Sequence, residues 1–372
     1  MMQKDFSAMF DGVYEGKRVF VTGSTGFKGV YLSFFLQKLK AEVLGIALPV
    51  PELSLYNICC GNNSLSTSFC DIRDKEKLEK ILKDFQPEIV FHLAAQSLVR
   101  KSYAEPLETF STNIMGTANI LECCRNCESI RSVVVISSDK CYENRETLTP
   151  YKESDPMGGY DPYSASKGCT EIVASSYRRS FFPMEEYGKS HQVLLGSCRA
   201  GNVIGGGDYA CDRLVPDLIR GAMAERETFL RNPSSVRPWQ HVFEPLAGYL
   251  ALGGKLYSGE KEFACGWNFG PDKGNIVSVA EAANSLQKNW DKIRIKVAPQ
   301  KEVLHEANLL LLDSSMAREK LLWKSIWNME KTFRMTGQWY RFWHEKGVNL
   351  LEEQLEEYIA DAKKANVIWS MQ

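Results

Sequence analysis

The sequence predicts an α/β fold, a doubly wound parallel sheet with a smaller C-terminal lobe. Three observations carry this. Short β-branched and aromatic runs alternate with helix-periodic segments through residues 1–199, the pattern of a parallel sheet covered on both faces. A glycine triplet, Gly23, Gly26 and Gly29, separates the first such run from the first helical segment. After residue 200 the alternation gives way to loops containing Arg213, Arg231, Arg237 and Trp239. The expected division is a sheet domain of 1–199, joined again by about 240–272, and a lobe made mainly of 200–365.

The elements follow in order. Lys17–Thr22 reads as the first strand, and Gly23-Ser24-Thr25-Gly26-Phe27-Lys28-Gly29 leads into apolar positions at helical spacing. Glycines let a backbone turn tightly and approach a pyrophosphate, while the helix start offers free N–H groups to it. The spacing is G-x-x-G-x-x-G, and its place directly after a strand is what points to a dinucleotide. The second strand, 41–48, ends in Pro49-Val50-Pro51 with Glu52 the nearest acid. Neither an acid for an adenosine ribose nor a base for a 2′-phosphate stands at its end, so NAD over NADP is inferred rather than read. Strand 66–70 leads to Asp71 and Ile72, then to an amphipathic helix over 74–84. Strand 88–92 runs into Leu93, Ala94, Ala95 and Gln96, residues mostly small enough for a ring to lie close to the backbone. One long helix is expected over 106–124, carrying Thr112. Strand 132–136 ends at Ser137-Ser138-Asp139-Lys140, and ligands of such sheets bind at the carboxyl ends of strands. Later come strand 192–198, helices over 278–289 and 315–322, and an aromatic run, Trp339–Trp343, read as helix packing.

Composition narrows the function classes. The chain has 372 residues, a formal net charge of −1, 44% hydrophobic and 24% charged residues. No global field favours nucleic acid or a membrane surface, and no apolar run approaches the roughly 20 residues of a membrane span. The N-terminal residues have no apolar signal core, so the expectation is cytoplasmic. Eleven cysteines, among them Cys59-Cys60 and Cys123, Cys124 and Cys127, show no second ligand pair, and the five histidines (including His305) form no metal motif. No metal site is expected.

Around Tyr163 the chain reads Gly159-Tyr160-Asp161-Pro162-Tyr163-Ser164-Ala165-Ser166-Lys167. On a helix Tyr163 and Lys167 share a face one turn apart. A phenol near pKa ~10 is a poor base at neutral pH, and a cation held beside it favours the phenolate. Strand, glycine loop and helix, a serine at a strand end, and this Tyr/Lys pair together resemble the extended short-chain dehydrogenase/reductase family, NAD-dependent epimerases and dehydratases with a Rossmann-type sheet, over roughly residues 15–345. The resemblance implies that Ser138, Tyr163 and Lys167 are catalytic, with Tyr163 the base and Lys167 lowering its pKa. It implies an NAD site built from Gly23, Thr25, Gly26, Phe27, Lys28, Gly29, Asp71, Ile72, Leu93, Ala94, Ala95, Thr112, Ser137, Tyr163 and Lys167. Substrate contacts are expected from Gln96, Asn202, Arg213 and Arg237, since guanidinium groups suit a phosphate's geometry.

Asp139 and Lys140 narrow the branch. An epimerase needs only the tyrosine and serine, whereas a 4,6-dehydratase must also take the C5 proton and expel the C6 hydroxyl. Dehydratases for dTDP-glucose usually carry Asp-Glu here. The Ser138-Asp139-Lys140-Cys141-Tyr142, Arg199–Asp208 and Arg237–His241 stretches are similar instead to the CDP-glucose 4,6-dehydratases. The implied roles are Lys140 as C5 base, if burial lowers its pKa from about 10.4, and Asp139 as acid to the C6 hydroxyl. The implied partners are a nucleotide sugar, CDP-glucose favoured, and a second copy packed through helices 106–124 and 163–180. Alternatives are another nucleotide-hexose or heptose dehydratase, a C4 epimerase, or a silent dinucleotide-binding protein.

Overall fold

The structure, a computed structural model, describes residues 5–60, 65–297 and 309–371. Seven parallel strands form the central sheet: β1 (Arg18–Thr22), β2 (Glu42–Ala47), β3 (Ser66–Phe69), β4 (Ile89–His92), β5 (Ser132–Ile136), β6 (Leu194–Arg199) and β7 (Gly266–Asn268). Their order is β3-β2-β1-β4-β5-β6-β7, so the winding reverses between β1 and β4. Strand order that reverses this way opens a crevice at the carboxyl ends. β4 and β5 are buried at every position, which is why 89–91 and 133–136 are unbroken apolar runs: a parallel strand has no wet face.

Helix α1 (Phe27–Lys38) follows the glycine loop and α2 (Lys75–Phe85) the third strand. Asp74 starts α2 by accepting the Lys77 N–H at 3.1 Å, satisfying a donor that the helix itself leaves open. The next helix, α3, differs from the single regular element expected. It runs as Pro106–Phe110, widens into a π turn at Ser111–Met115, and resumes as Gly116–Arg125. A π turn adds one residue to the ladder and is common at functional sites. Here it turns Asn113 inward, where its amide donates to the Gln96 carbonyl at 2.9 Å and to Ser166 Oγ at 2.8 Å, while its oxygen accepts the Gln96 N–H at 2.8 Å. Helix α4 (Pro162–Ser180) begins at Asp161, whose carboxylate accepts the Ser164 N–H at 3.0 Å, with Pro162 at the first helical position.

Beyond residue 200 come α5 (Leu214–Met223), α6 (Phe243–Tyr257), α7 (Val279–Asn289), α8 (Met329–Lys346) and α9 (Leu351–Lys364). The chain returns to the sheet with α6, which packs on β5 and β6, and with β7, which pairs with β6. α7 packs against α8 in the C-terminal lobe. Trp290, Trp323, Trp327 and Trp339 are buried there, each contributing on the order of 3 kcal/mol through its apolar area. The Trp339–Trp343 run lies on α8, with Trp339 and Tyr340 buried and Tyr340 donating to the Asp208 carbonyl at 2.6 Å.

Among the described residues no helix is long and apolar enough to cross a membrane, and no group of three or more His, Cys, Asp or Glu is placed to hold a metal ion. His305 and the side chain of Cys60 lie outside the described residues. Cys123 and Cys124 are buried thiols that desolvation pushes up, the state of inert packing cysteines.

Candidate active site

A cavity of about 760 Å³ opens at the carboxyl ends of the strands. Every residue named above as a catalytic, cofactor or substrate candidate lines it, so segments far apart in sequence share one wall. The glycine loop forms one end. Gly23 has φ +72°, and a Cβ on it would meet the Ala94 nitrogen at 2.8 Å; one on Gly29 would meet the Gly23 carbonyl at 2.0 Å. Only glycine fits a cradle this close. Gly26 stands at the start of α1 with no side chain capping the helix, which leaves N–H groups for an anion. The loop therefore fits the diphosphate of a dinucleotide. Leu48, Pro49 and Val50 line the wall at the end of β2. Asp71, after β3, is tied to Arg73 at 2.6 Å.

His92 anchors the floor. It bonds Thr22 Oγ1 at 2.7 Å and Thr117 Oγ1 at 3.0 Å, and burial pushes it down to about 3, so it is neutral. Thr22 Oγ1 accepts the N–H groups of Leu93 and Ala94 at 3.1 Å, which fixes the small-residue wall. Gln96, expected as a substrate contact, lines the cavity and is held by its neighbours. Its amide donates to the Leu98 carbonyl at 3.0 Å and to Thr109 Oγ1 at 2.9 Å, and its oxygen accepts the Leu98 N–H at 2.6 Å. It shapes the loop that borders the cavity.

The end of β5 meets α4 at the centre. Ser138 Oγ donates to Asp139 Oδ1 at 2.8 Å, and the Lys140 N–H donates to the same oxygen at 2.9 Å. Asp139 is buried, and a Cβ on Gly201 would lie 1.9 Å from its Oδ2. Lys140 is half-buried in the wall. Burial pushes the Tyr163 phenol up to about 12, against the pull of its hydrogen bond with Ser138. The Lys167 ammonium donates to the Ile136 carbonyl at 3.2 Å, and burial pushes it down to about 8. Desolvation disfavours charge on both groups.

Behind this centre lies a buried pair. Glu171 meets Arg199 at 2.9 Å and accepts Ser197 Oγ at 2.7 Å and Ser137 Oγ. Burial opposes the Glu171 charge, but Arg199 and these bonds hold its carboxyl below the usual range. Ser137, expected to touch the cofactor, is thereby held in this network. Burial also pushes Lys28 down to about 8, with Arg213 adding repulsion and Asp139 opposing both. On the far wall Arg213 pairs with Asp208 at 2.9 Å and donates to Ser97 Oγ at 3.0 Å. Asn202 sits beside Gly201 with φ +50°, and Arg237 donates to the Val236 carbonyl at 3.0 Å. Arg100, Asp212 and Phe229 also line the cavity, as does Asp208 at the end of the Arg199–Asp208 stretch; nothing in the local sequence of the first three sets them apart, and the sequence left Arg231 open between a neighbour of Arg213 and Arg237 on the diphosphate and a surface charge.

A Rossmann-type sheet whose glycine cradle and Ser/Tyr/Lys centre share one cavity defines a class, and comparison with known proteins agrees. The chain belongs to the family described as GDP-mannose 4,6 dehydratase, whose model matches residues 20–336. More particularly, it is 47% identical over 331 residues to the CDP-glucose 4,6-dehydratase of Salmonella typhimurium, covering 89% of this chain and 92% of that one. Among solved structures it is similar to the UDP-glucose 4-epimerase of Thermotoga maritima (TM-score 0.73, 22% identity, 88% of this chain and 100% of that one). It is also similar to that of Brucella ovis in complex with NAD (TM-score 0.70, 18% identity, 87% and 98%).

Proposed function

We propose that this chain is an NAD-dependent dehydratase that converts CDP-D-glucose to CDP-4-keto-6-deoxy-D-glucose. The observation that carries the reading is the 47% identity, across 89% of the chain, to a CDP-glucose 4,6-dehydratase. Residues 1–199, with about 240–272, hold the dinucleotide, and 200–365 hold mainly the nucleotide sugar. The Gly23–Gly29 loop, Asp71 and the Leu93–Ala95 wall are the residues that hold NAD. When bound, NAD supplies an acceptor for the C4 hydride and its donor at C6. Tyr163 takes the O4 proton, with Ser138 hydrogen-bonded to the phenol. The ketone so formed at C4 acidifies C5–H. Lys140 takes that proton and Asp139 protonates the departing C6 hydroxyl, so one water leaves; as hydride comes back to C6, C5 takes its proton back from Lys140, and the proton that left O4 makes good the one Asp139 gave, so the proton count balances. Arg213 and Arg237 take the diphosphate and nucleotide.

Two copies pair through α3 and α4. Leu107, Met115 and Ile172 on these helices are 82%, 57% and 58% exposed, a concentration of apolar surface that a partner would cover. Mass spectrometry tests the reaction: purified protein with catalytic NAD is offered CDP-glucose beside dTDP-, GDP- and UDP-hexoses. Loss of one water from CDP-glucose alone, with no build-up of reduced cofactor, is the expected result. Water loss from a different nucleotide sugar discards the substrate, and epimerisation without water loss discards the roles given to Asp139 and Lys140.

A further inference from the structure

At the mouth of the cavity three side chains from separate segments meet. Arg100 comes from the short helix Val99–Ala104, Arg231 from just after the strand Thr228–Leu230, and Asp212 from the loop before α5. One oxygen, Asp212 Oδ1, faces both guanidinium groups, at 3.6 Å from Arg100 Nη1 and 3.4 Å from Arg231 Nη1. Arg231 Nη2 is also 4.0 Å from Asp217 Oδ2. All four residues line the cavity.

We propose that Asp212 is an internal stand-in for the diphosphate of the substrate, holding Arg100 and Arg231 together until that diphosphate displaces it. The inference rests on the nucleotide-sugar reading and deepens it by assigning Arg100 and Arg231 to the diphosphate and Asp212 to the control of their access. Two features separate Asp212 from an ordinary ion pair. Its contacts are long, whereas the neighbouring Arg213–Asp208 pair closes to 2.9 Å on a buried carboxylate. The Nε–H of Arg100 is buried without a hydrogen-bond partner, so the guanidinium has a donor that the carboxylate leaves unused. Two guanidinium groups around a single oxygen match a diphosphate, whose several oxygens accept bidentate pairs, better than they match one carboxylate.

The test compares wild type with Asp212→Asn by calorimetric titration of CDP, inorganic pyrophosphate and cytidine. Asparagine tolerates the left-handed backbone of this position, φ +60°, and keeps the fold while removing the charge. Removing one exposed competing charge should tighten CDP and pyrophosphate about two- to fivefold. That gain should shrink as salt screens the site, cytidine should bind both proteins alike, and Arg100→Gln should abolish the gain. Pyrophosphate bound no more tightly by Asp212→Asn, or by neither protein, or a gain equally large for cytidine, overturns the proposal. If wild type binds pyrophosphate but no nucleoside diphosphate of any base, the substrate reading fails, and the pyrophosphate comparison still decides the role of Asp212.

Discussion

Replacing Gly201 by alanine is expected to separate the two halves of the proposed reaction. The added Cβ would lie 1.9 Å from Asp139 Oδ2 and 2.2 Å from its Cγ. Real Cβ contacts lie beyond 3.0 Å, so the carboxylate must withdraw by more than about 1 Å, and a misplacement of that size costs about 100-fold where proton transfer needs a set geometry. Its bonds from Ser138 and the Lys140 N–H, at 2.8 and 2.9 Å, lengthen or break with it. Tyr163 is approached from α4 and does not touch Gly201 in this way, so removal of the O4 proton should be affected far less. The assay is a single turnover with CDP-glucose, following reduced cofactor by absorbance and water loss by mass spectrometry. The variant should accumulate reduced cofactor and a 4-keto sugar that still carries its C6 oxygen, with elimination slowed about 100-fold. A melting temperature near wild type shows that the fold survives. Water loss at the wild-type rate, or an equal fall in both half-reactions, would refute the placement of Asp139 as the acid.

Tyr163→Phe should lower C4 oxidation by about 10² to 10⁴-fold while NAD affinity, measured by fluorescence titration, stays within a few-fold. The wild-type oxidation rate should rise with pH as phenolate forms, and the variant's should not. Glu244 gives a stability prediction: it is fully buried, accepts the Ile326 and Trp327 N–H groups at 3.0 and 2.7 Å, and burial raises its carboxyl to about 7. A raised acid contributes stability that is complete below about pH 4.5 and is lost as pH rises through about 7, about 3 kcal/mol in all. For a chain of 372 residues the part lost between pH 5 and pH 8, about 2.5 kcal/mol, is about 3 °C in melting temperature. Scanning calorimetry should find this slope in wild type and not in Glu244→Gln.

What could be read from sequence follows from what a linear pattern records. β4 and β5 were legible because a strand buried on both faces has to be a continuous apolar run, and α4 because Asp161-Pro162 is a helix start in its own right. The glycine cradle was legible because its contacts are local: Gly29 is tight against Gly23, six residues away. The π turn in α3 was not, because the residue that it turns inward answers to Gln96 and Ser166, on other segments. The same holds for Glu171 with Arg199 and for Arg100 with Asp212. Each half is an ordinary charged residue until the fold brings its partner, and periodicity reports burial without naming what is across the gap.

The Tyr163–Lys167 pair marks the limit most clearly, because its spacing was read and its surroundings were not. Spacing placed a cation one turn from a phenol and recorded nothing of how deeply the fold would bury either group. Burial pushes Tyr163 up to about 12 and both Lys167 and Lys28 down to about 8, three shifts of one cause, each toward the neutral form. The walls responsible come from distant segments: Arg213, for one, repels Lys28 and pulls the phenol down. A pocket that disfavours charge on its own bases is one whose titration must respond to charged ligands. These shifts are set by what the fold packs around each group, which no spacing of residues in a sequence can record.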